Sequence, residues 1–164
     1  MTSPRPAHAN HISADEERQI LDAIDQWLKR HVEPHVMKLE HDDVYPEEMV
    51  EQMKALGLFG ATIGTEWGGL GLGAELYGRI VTRISEVWMS LTGIFNSHLI
   101  MAAAVERFGT AEQKARYLPK FARGEIRGGL ALTEPNAGTD LQAIRMRARR
   151  DGDHYVLNGT KMWI

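Results

Sequence analysis

Apolar positions recur at three- and four-residue spacing through Ile20, Leu21, Ile24, Trp27 and Leu28, while Asp22, Asp25, Gln26, Lys29 and Arg30 fill the other side. That is an amphipathic helix burying one stripe. Its start is marked by Ser13-Ala14-Asp15-Glu16, a capping box in which hydroxyl and carboxylate satisfy the free backbone donors of the first turn. Pro34 lacks an N–H and is expected to kink or interrupt this helix, with Val36 and Leu39 continuing the apolar pattern beyond it. A second helix is predicted to open with Pro46 in its first turn, carry Met49, Met53 and Leu56 on one face, and stop at Gly57.

The glycine-rich run from Leu58 to Gly73 reads as a turn-like link. Two longer helices follow. The first carries a stripe of Leu76, Ile80, Val81, Ile84 and Val87; the second, Leu91 through Val105, is apolar nearly all round apart from Asn96, Ser97 and His98. A helix apolar on most faces belongs inside a bundle. Thr110-Ala111-Glu112-Gln113 repeats the capping box and predicts a shorter helix with Tyr117, Leu118 and Phe121 inward, ending near Gly124. Pro119 predicts a break or bend within it.

After Gly128 the period changes. Ile144-Arg145-Met146-Arg147-Ala148-Arg149 alternates strictly, the pattern of a half-buried strand. Asp151-Gly152 and Asn158-Gly159 both suit tight turns, so a β-meander of roughly three strands is predicted. The fold class is therefore mainly α: a helical-bundle amino-terminal domain, 13–127, followed by the first strands of an antiparallel β domain, 128–164. Residues 1–12 are polar, carry two prolines and no apolar core of a signal peptide, and read as a disordered tail. The last strand ends on exposed Trp163 and Ile164, so the sheet is expected to want strands beyond them.

Composition narrows the classes. At 164 residues and 43% hydrophobic, the chain can bury a real core. Its net charge of -3 leaves no broad footprint for nucleic acid. No apolar run is read as approaching the roughly 20 residues that span a bilayer, so no membrane span is expected, and the default location is cytoplasmic. With no cysteine, disulfides, thiolate metal sites and thiol catalysis are excluded.

The chemistry concentrates in Leu132-Thr133-Glu134-Pro135-Asn136-Ala137-Gly138-Thr139-Asp140, where hydroxyls and carboxylates stand on a backbone path shaped by proline and glycine. Such a loop can aim donors at a polar heteroaromatic ring, and a purely structural turn accounts for the Pro, Asn and Gly equally well. Together with Asn158-Gly159-Thr160-Lys161-Met162-Trp163-Ile164, it resembles the flavin-contacting signature of the acyl-CoA dehydrogenase family. Three further segments resemble the family in the same order: Gly57-Leu58-Phe59-Gly60, Glu66-Trp67-Gly68-Gly69-Leu70-Gly71, and Gly109-Thr110-Ala111-Glu112-Gln113-Lys114 leading into Tyr117-Leu118-Pro119.

The resemblance implies FAD as cofactor and an acyl-CoA thioester as substrate, with α,β-dehydrogenation as the reaction. It implies that Leu130, Ala131, Leu132, Thr133, Gly138 and Thr139 line the flavin, Thr133 on the pyrimidine side of the ring and Thr139 near both flavin and acyl-CoA. Trp163, with Ile164 beside it, matches the tryptophan that packs on the ring face away from substrate. Electrons would pass to an electron-transfer flavoprotein or a similar acceptor, and the complete protein would be a homo-oligomer. The family's base is a glutamate of a carboxy-terminal helical domain that this sequence does not contain, so no residue here is assigned as catalytic. The sequence therefore reads as the front of a longer enzyme, inactive by itself. Asn136 and Thr139 replace the more frequent glycine and serine of the signature, and Trp67 stands where tyrosine is common.

Other readings stay open. Acyl-CoA oxidases and flavin monooxygenases share the same cradle, and a non-enzymatic helical interaction module or an inactive remnant is the alternative from another class. His31 and His35, with His41 nearby, have the spacing of helix-borne metal ligands, but Pro34 between them favours a solvated helix end, and no metal is assigned. Gly69-Leu70-Gly71-Leu72-Gly73-Ala74 fits a dinucleotide pattern without its ribose-binding acid, and reads as a flexible turn. Arg145, Arg147, Arg149 and Arg150 could meet a CoA phosphate or be the wet face of a strand.

Overall fold

The structure, a computed structural model, describes residues 12–164 and divides into two compact units, one reaching to Gly129 and one from Leu130 to Ile164. All of the expected tail except Ile12 lies outside the described residues.

In the first unit, α1 (Ala14–Trp27) begins with the predicted capping box: the Glu16 N–H donates to Ser13 Oγ and the Ser13 N–H donates to the Glu16 carboxylate. Leu21, Ile24 and Trp27 form its buried stripe. The helix loosens into a π turn over Leu28–Val32, and Pro34, unable to donate, separates it from α2 (Val36–His41). Helix α3 (Glu47–Ala55) buries Met49, Val50 and Met53. Pro46 occupies its N-cap, one position earlier than the sequence suggested. The Trp27 Nε1–H donates to Gln52 Oε1 at 2.7 Å, so the indole that fills the core also ties α1 to α3.

The stretch Leu58 to Gly73 is not a mere link. Leu58, Phe59, Ala61, Ile63 and Leu72 are all 5% exposed or less, and short 3₁₀ turns cover Leu58–Gly60 and Thr65–Trp67. The N–H groups of Leu70, Gly71 and Leu72 donate to Gly60, Ile63 and Ala61 carbonyls at 2.8–2.9 Å. A Cβ on Gly69 would lie 2.2 Å from the Ile63 carbonyl oxygen, so glycine there is required by backbone packed on backbone.

Helix α4 (Ala74–Phe108) is broken at Trp88, whose φ of -154° and ψ of 101° leave the helical region. The two expected helices are thus its two halves. By length and composition alone α4 could cross a membrane, contrary to the sequence expectation. Its apolar length is explained within this unit by packing: Leu76, Ile80, Ile84, Leu91, Phe95 and Leu99 enter the core. Helix α5 (Ala111–Ala122) starts with the predicted Thr110/Gln113 capping box and runs through Pro119 without the expected break. Pro119 lies in the last turn, flanked by buried Leu118 and Phe121, and their burial, worth roughly 1.5–3 kcal/mol each, offsets one lost backbone bond.

His98, fully buried in α4, fastens this unit. Its Nε2–H donates to the carbonyls of Phe59 at 3.2 Å and Phe121 at 3.1 Å, and Nδ1 accepts from the Gly128 N–H at 3.3 Å. That set of partners requires the neutral ring. Burial pushes its pKa below the usual 6.5, partly opposed by the two carbonyls and reinforced by Arg127.

The second unit holds one hairpin. Strands β1 (Arg147–Asp151) and β2 (His154–Asn158) pair antiparallel with Arg147 opposite Asn158 and Asp151 opposite His154. The turn is Gly152-Asp153, one residue later than Asp151-Gly152, with Gly152 supplying a φ of 60° at the first central position. The alternation in 144–149 did not give a half-buried strand: the strand starts at Arg147, and both hairpin strands are exposed along their length. No third strand forms among the described residues. Gly159, with φ 153°, instead lets the chain pass so close to Met146 that a Cβ would lie 2.8 Å from the Met146 Cα.

Candidate functional site

The motif Leu132–Asp140 folds as a tight turn with Pro135 and Asn136 at its centre. The Glu134 N–H donates to the Ala137 carbonyl at 2.9 Å, and the Ala137 N–H donates back at 3.1 Å. Proline presets the backbone at the first central position. Asn136 does not adopt a left-handed backbone, so its tolerance for one is not what the turn uses. Beyond it, the Asp140 carboxylate accepts from the Gln142 N–H at 3.2 Å and caps the short turn Leu141–Ala143.

Glu134 is the centre of this unit. Its carboxylate accepts from the Arg145 N–H at 2.7 Å, the Met146 N–H at 2.9 Å and Lys161 Nζ at 2.9 Å. Lys161 Nζ also donates to the Leu132 carbonyl at 2.9 Å. These donors, the Arg145 N–H foremost and then Lys161, hold the Glu134 pKa down to about 2. The acid is therefore ionised at neutral pH and fully partnered.

Alongside, the Met162 N–H donates to the Thr133 carbonyl at 2.9 Å, which lays the 161–163 segment against the front of the loop. Of the residues expected to touch a flavin, Thr133 is half-buried, while Leu130 and Leu132 are 43% and 40% exposed and Trp163 is 86% exposed. Ala131, Gly138, Thr139 and Ile164 are also exposed. The structure thus joins Thr133 to the segment carrying Trp163 and Ile164; Gly138 and Thr139 stand on the far side of the turn with no hydrogen bond to Thr133.

Chemically, this surface suits a flat ring with a polar edge. Among the described residues, the main-chain N–H groups of Ala131, Leu132 and Thr133 and the hydroxyls of Thr133 and Thr139 donate to nothing. Open donors beside an exposed indole match the needs of an isoalloxazine, which has carbonyls and ring nitrogens on one side and broad apolar faces.

Sequence reasoning missed the part played by Glu134 and Lys161. Both lie inside the two quoted motifs, yet 27 positions separate them and no periodicity relates them. His31 and His35 line a concavity of about 360 Å³ with Lys38, Tyr45 and Glu48, and no group of three or more metal-ligating side chains occurs among the described residues. The glycines of 69–73 do not offer a phosphate cradle, because the N–H groups of Leu70, Gly71 and Leu72 are spent on their own backbone. Of the arginines, Arg149 pairs with Asp151 at 3.3 Å and Arg150 Nε donates to the Gly152 carbonyl at 3.2 Å, both within the hairpin.

Comparison with known proteins identifies the family. Residues 14–125 match the acyl-CoA dehydrogenase N-terminal domain and residues 129–164 its middle domain. The chain belongs to the acyl-CoA dehydrogenase family. It is 33% identical over 153 residues to the mitochondrial isovaleryl-CoA dehydrogenase of Bos taurus, covering 92% of this chain and 36% of that protein. A glutaryl-CoA dehydrogenase from Mycobacterium smegmatis, solved in complex with FADH2, superposes with a TM-score of 0.84 at 30% identity over 93% of this chain and 39% of that one. A chain from the solved structure of the electron transferring flavoprotein of Acidaminococcus fermentans also has a TM-score of 0.84 at 30% identity, over 93% of this chain and 40% of that one. This chain therefore spans little more than a third of the bovine relative's length.

Proposed function

We propose that this chain forms the flavin-facing front of an FAD-dependent acyl-CoA dehydrogenase that introduces an α,β double bond into an acyl-CoA thioester. The observation that carries this reading is the Thr133–Met162 hydrogen bond, which sets the open donors of Ala131–Thr133 beside Trp163. The family relationship supports it, as does the FADH2 complex of the mycobacterial relative.

In this reading the N–H groups of Ala131 to Thr133 and the Thr133 hydroxyl bind the polar edge of the ring. Leu130, Leu132 and Gly138 line it. Trp163, with Ile164, covers one face and keeps water from it. The Thr139 hydroxyl is assigned to both ring and thioester from its place in the family signature. FAD held by these residues would supply the acceptor for a hydride from the substrate β-carbon, with the α-proton going to a base. No residue of this chain is assigned as that base. The partners are an acyl-CoA, an electron-transfer flavoprotein or similar acceptor, and further copies of the same protein.

The test is purification of the polypeptide from its own gene, followed by visible absorbance and flavin titration. Bound FAD is expected, with Trp163→Ala weakening it about tenfold, since an aromatic stack adds about 0.5–1.5 kcal/mol beyond area burial. A polypeptide that neither carries nor takes up FAD overturns the reading and leaves the non-enzymatic module. Dioxygen consumption with acyl-CoA would instead assign an oxidase.

A further inference from the structure

We propose that Glu134 and Lys161 are a pair of positioning residues that set the distance between the loop and the Trp163 segment, and so determine whether a flat cofactor fits between donor edge and indole. The inference rests on the flavin reading above and goes beyond it by naming residues that touch no cofactor.

The geometry is specific. Lys161 Nζ holds two acceptors at once, Leu132 O and Glu134 Oε1, each at 2.9 Å, and is 16% exposed against 7% for its partner's side chain. The two contacts fall on either side of Thr133, and the Met162 N–H reaches Thr133 itself. Three successive loop residues are thereby tied to two successive residues of the second segment. Trp163 follows immediately, with φ 59°, a left-handed backbone that is uncommon for a bulky side chain. The other Glu134 oxygen takes the Arg145 N–H, so the same side chain also anchors the approach to β1.

Among residues 130–164 only Ala137 and Glu134 are buried, so the contacts these residues make with one another across the two segments are chiefly these polar ties. A glutamine at 134 would turn an amide N–H₂ toward a donor, because both carboxylate oxygens receive N–H groups. A methionine at 161 fills similar space and removes both of the lysine's bonds.

The experiment compares wild type, Lys161→Met, Glu134→Gln and Lys161→Arg in the complete polypeptide as its gene encodes it. Amide-proton exchange is read in the flavin-free protein at Arg145, Met146 and Met162; FAD dissociation and the flavin's visible circular dichroism are read in the loaded one. Lys161→Met and Glu134→Gln are expected to speed exchange at Met162 and Arg145 at least tenfold, loosen FAD about tenfold and alter the dichroism, with thermal melting of the helical unit unmoved. Lys161→Arg restores much of each effect. Unchanged exchange at all three amides in Lys161→Met overturns the proposal, as does loss of FAD without any change in exchange or dichroism. A wild type that shows the exchange pattern but never binds FAD sinks the flavin reading and leaves the tie itself standing.

Discussion

Up to Gly129 the residues fully shielded from solvent include Phe59, Ile84, Leu91 and Phe95, with His98 the polar exception among them; after it the most shielded are Ala137 at 3% and Glu134 at 8%. The helical unit is held by apolar contact, which has no direction and tolerates exchange between side chains of similar volume. In the smaller unit a carboxylate with three donors joins the loop to the segments around it, and each of those bonds has a required angle. Polar features also differ in rank. In the helical unit His98 adds hydrogen bonds to an apolar core, whereas among residues 130–164 Glu134 is the group that gathers the hydrogen bonds. The difference places the adjustable part of the molecule where the cofactor is proposed to bind, on segments whose spacing depends on a few named bonds.

The largest expected effect lies in the apolar core. Phe59→Ala removes a ring that meets His98 edge-on with centroids 5.3 Å apart, and should cost about 3–5 kcal/mol in urea denaturation of the helical unit. A loss under about 1 kcal/mol would mean that the core there is not close-packed.

Acid separates the two units more finely. His98 has a lowered pKa in the fold, so the unfolded chain takes the extra proton first; its contribution is complete above pH 6.5 and is lost as pH falls below that value through the folded pKa. Glu134 is also lowered, and its contribution is complete above 4.5 and disappears as pH falls toward about 2. Urea stability of the helical unit should therefore begin to fall from pH 6.5, an effect absent in His98→Gln, while Arg145 and Met146 amide protection persists to below pH 4.5. Simultaneous loss of both signals near pH 6 would mean that the units do not respond to separate groups.

The smallest effect belongs to a local device. Ser13→Ala removes one half of the first capping box and should cost about 1 kcal/mol, read as a modest shift in the urea midpoint. A shift as large as that of Phe59→Ala would show that the α1 start is coupled to the core.

Helices were legible where their causes are local. Ser13 with Glu16 and Thr110 with Gln113 act within four residues, and the stripe Leu21, Ile24 and Trp27 needs only the helical period to be recognised. Legibility failed where a distant partner decides. The glycines near Gly69 looked like a link until the backbone packed against them proved to be Ile63 and Gly60, and Asn158-Gly159 looked like a second hairpin although its glycine serves close passage over Met146. Thr133 and Trp163 could be singled out from the family signature they sit in, while the bonds that join their segments could not.

By itself the sequence determined the helix starts and buried stripes, the mainly α class and the membership of the chain in its family, because each is written in residue types at short, regular spacing. Tertiary structure alone decided that Leu58 to Gly73 belongs to the core, that Pro119 is carried within a helix, and that Glu134 and Lys161 meet. Burial and hydrogen-bond partners at long separation depend on where the chain has travelled between two positions, and that path is set by the packing of every element along it.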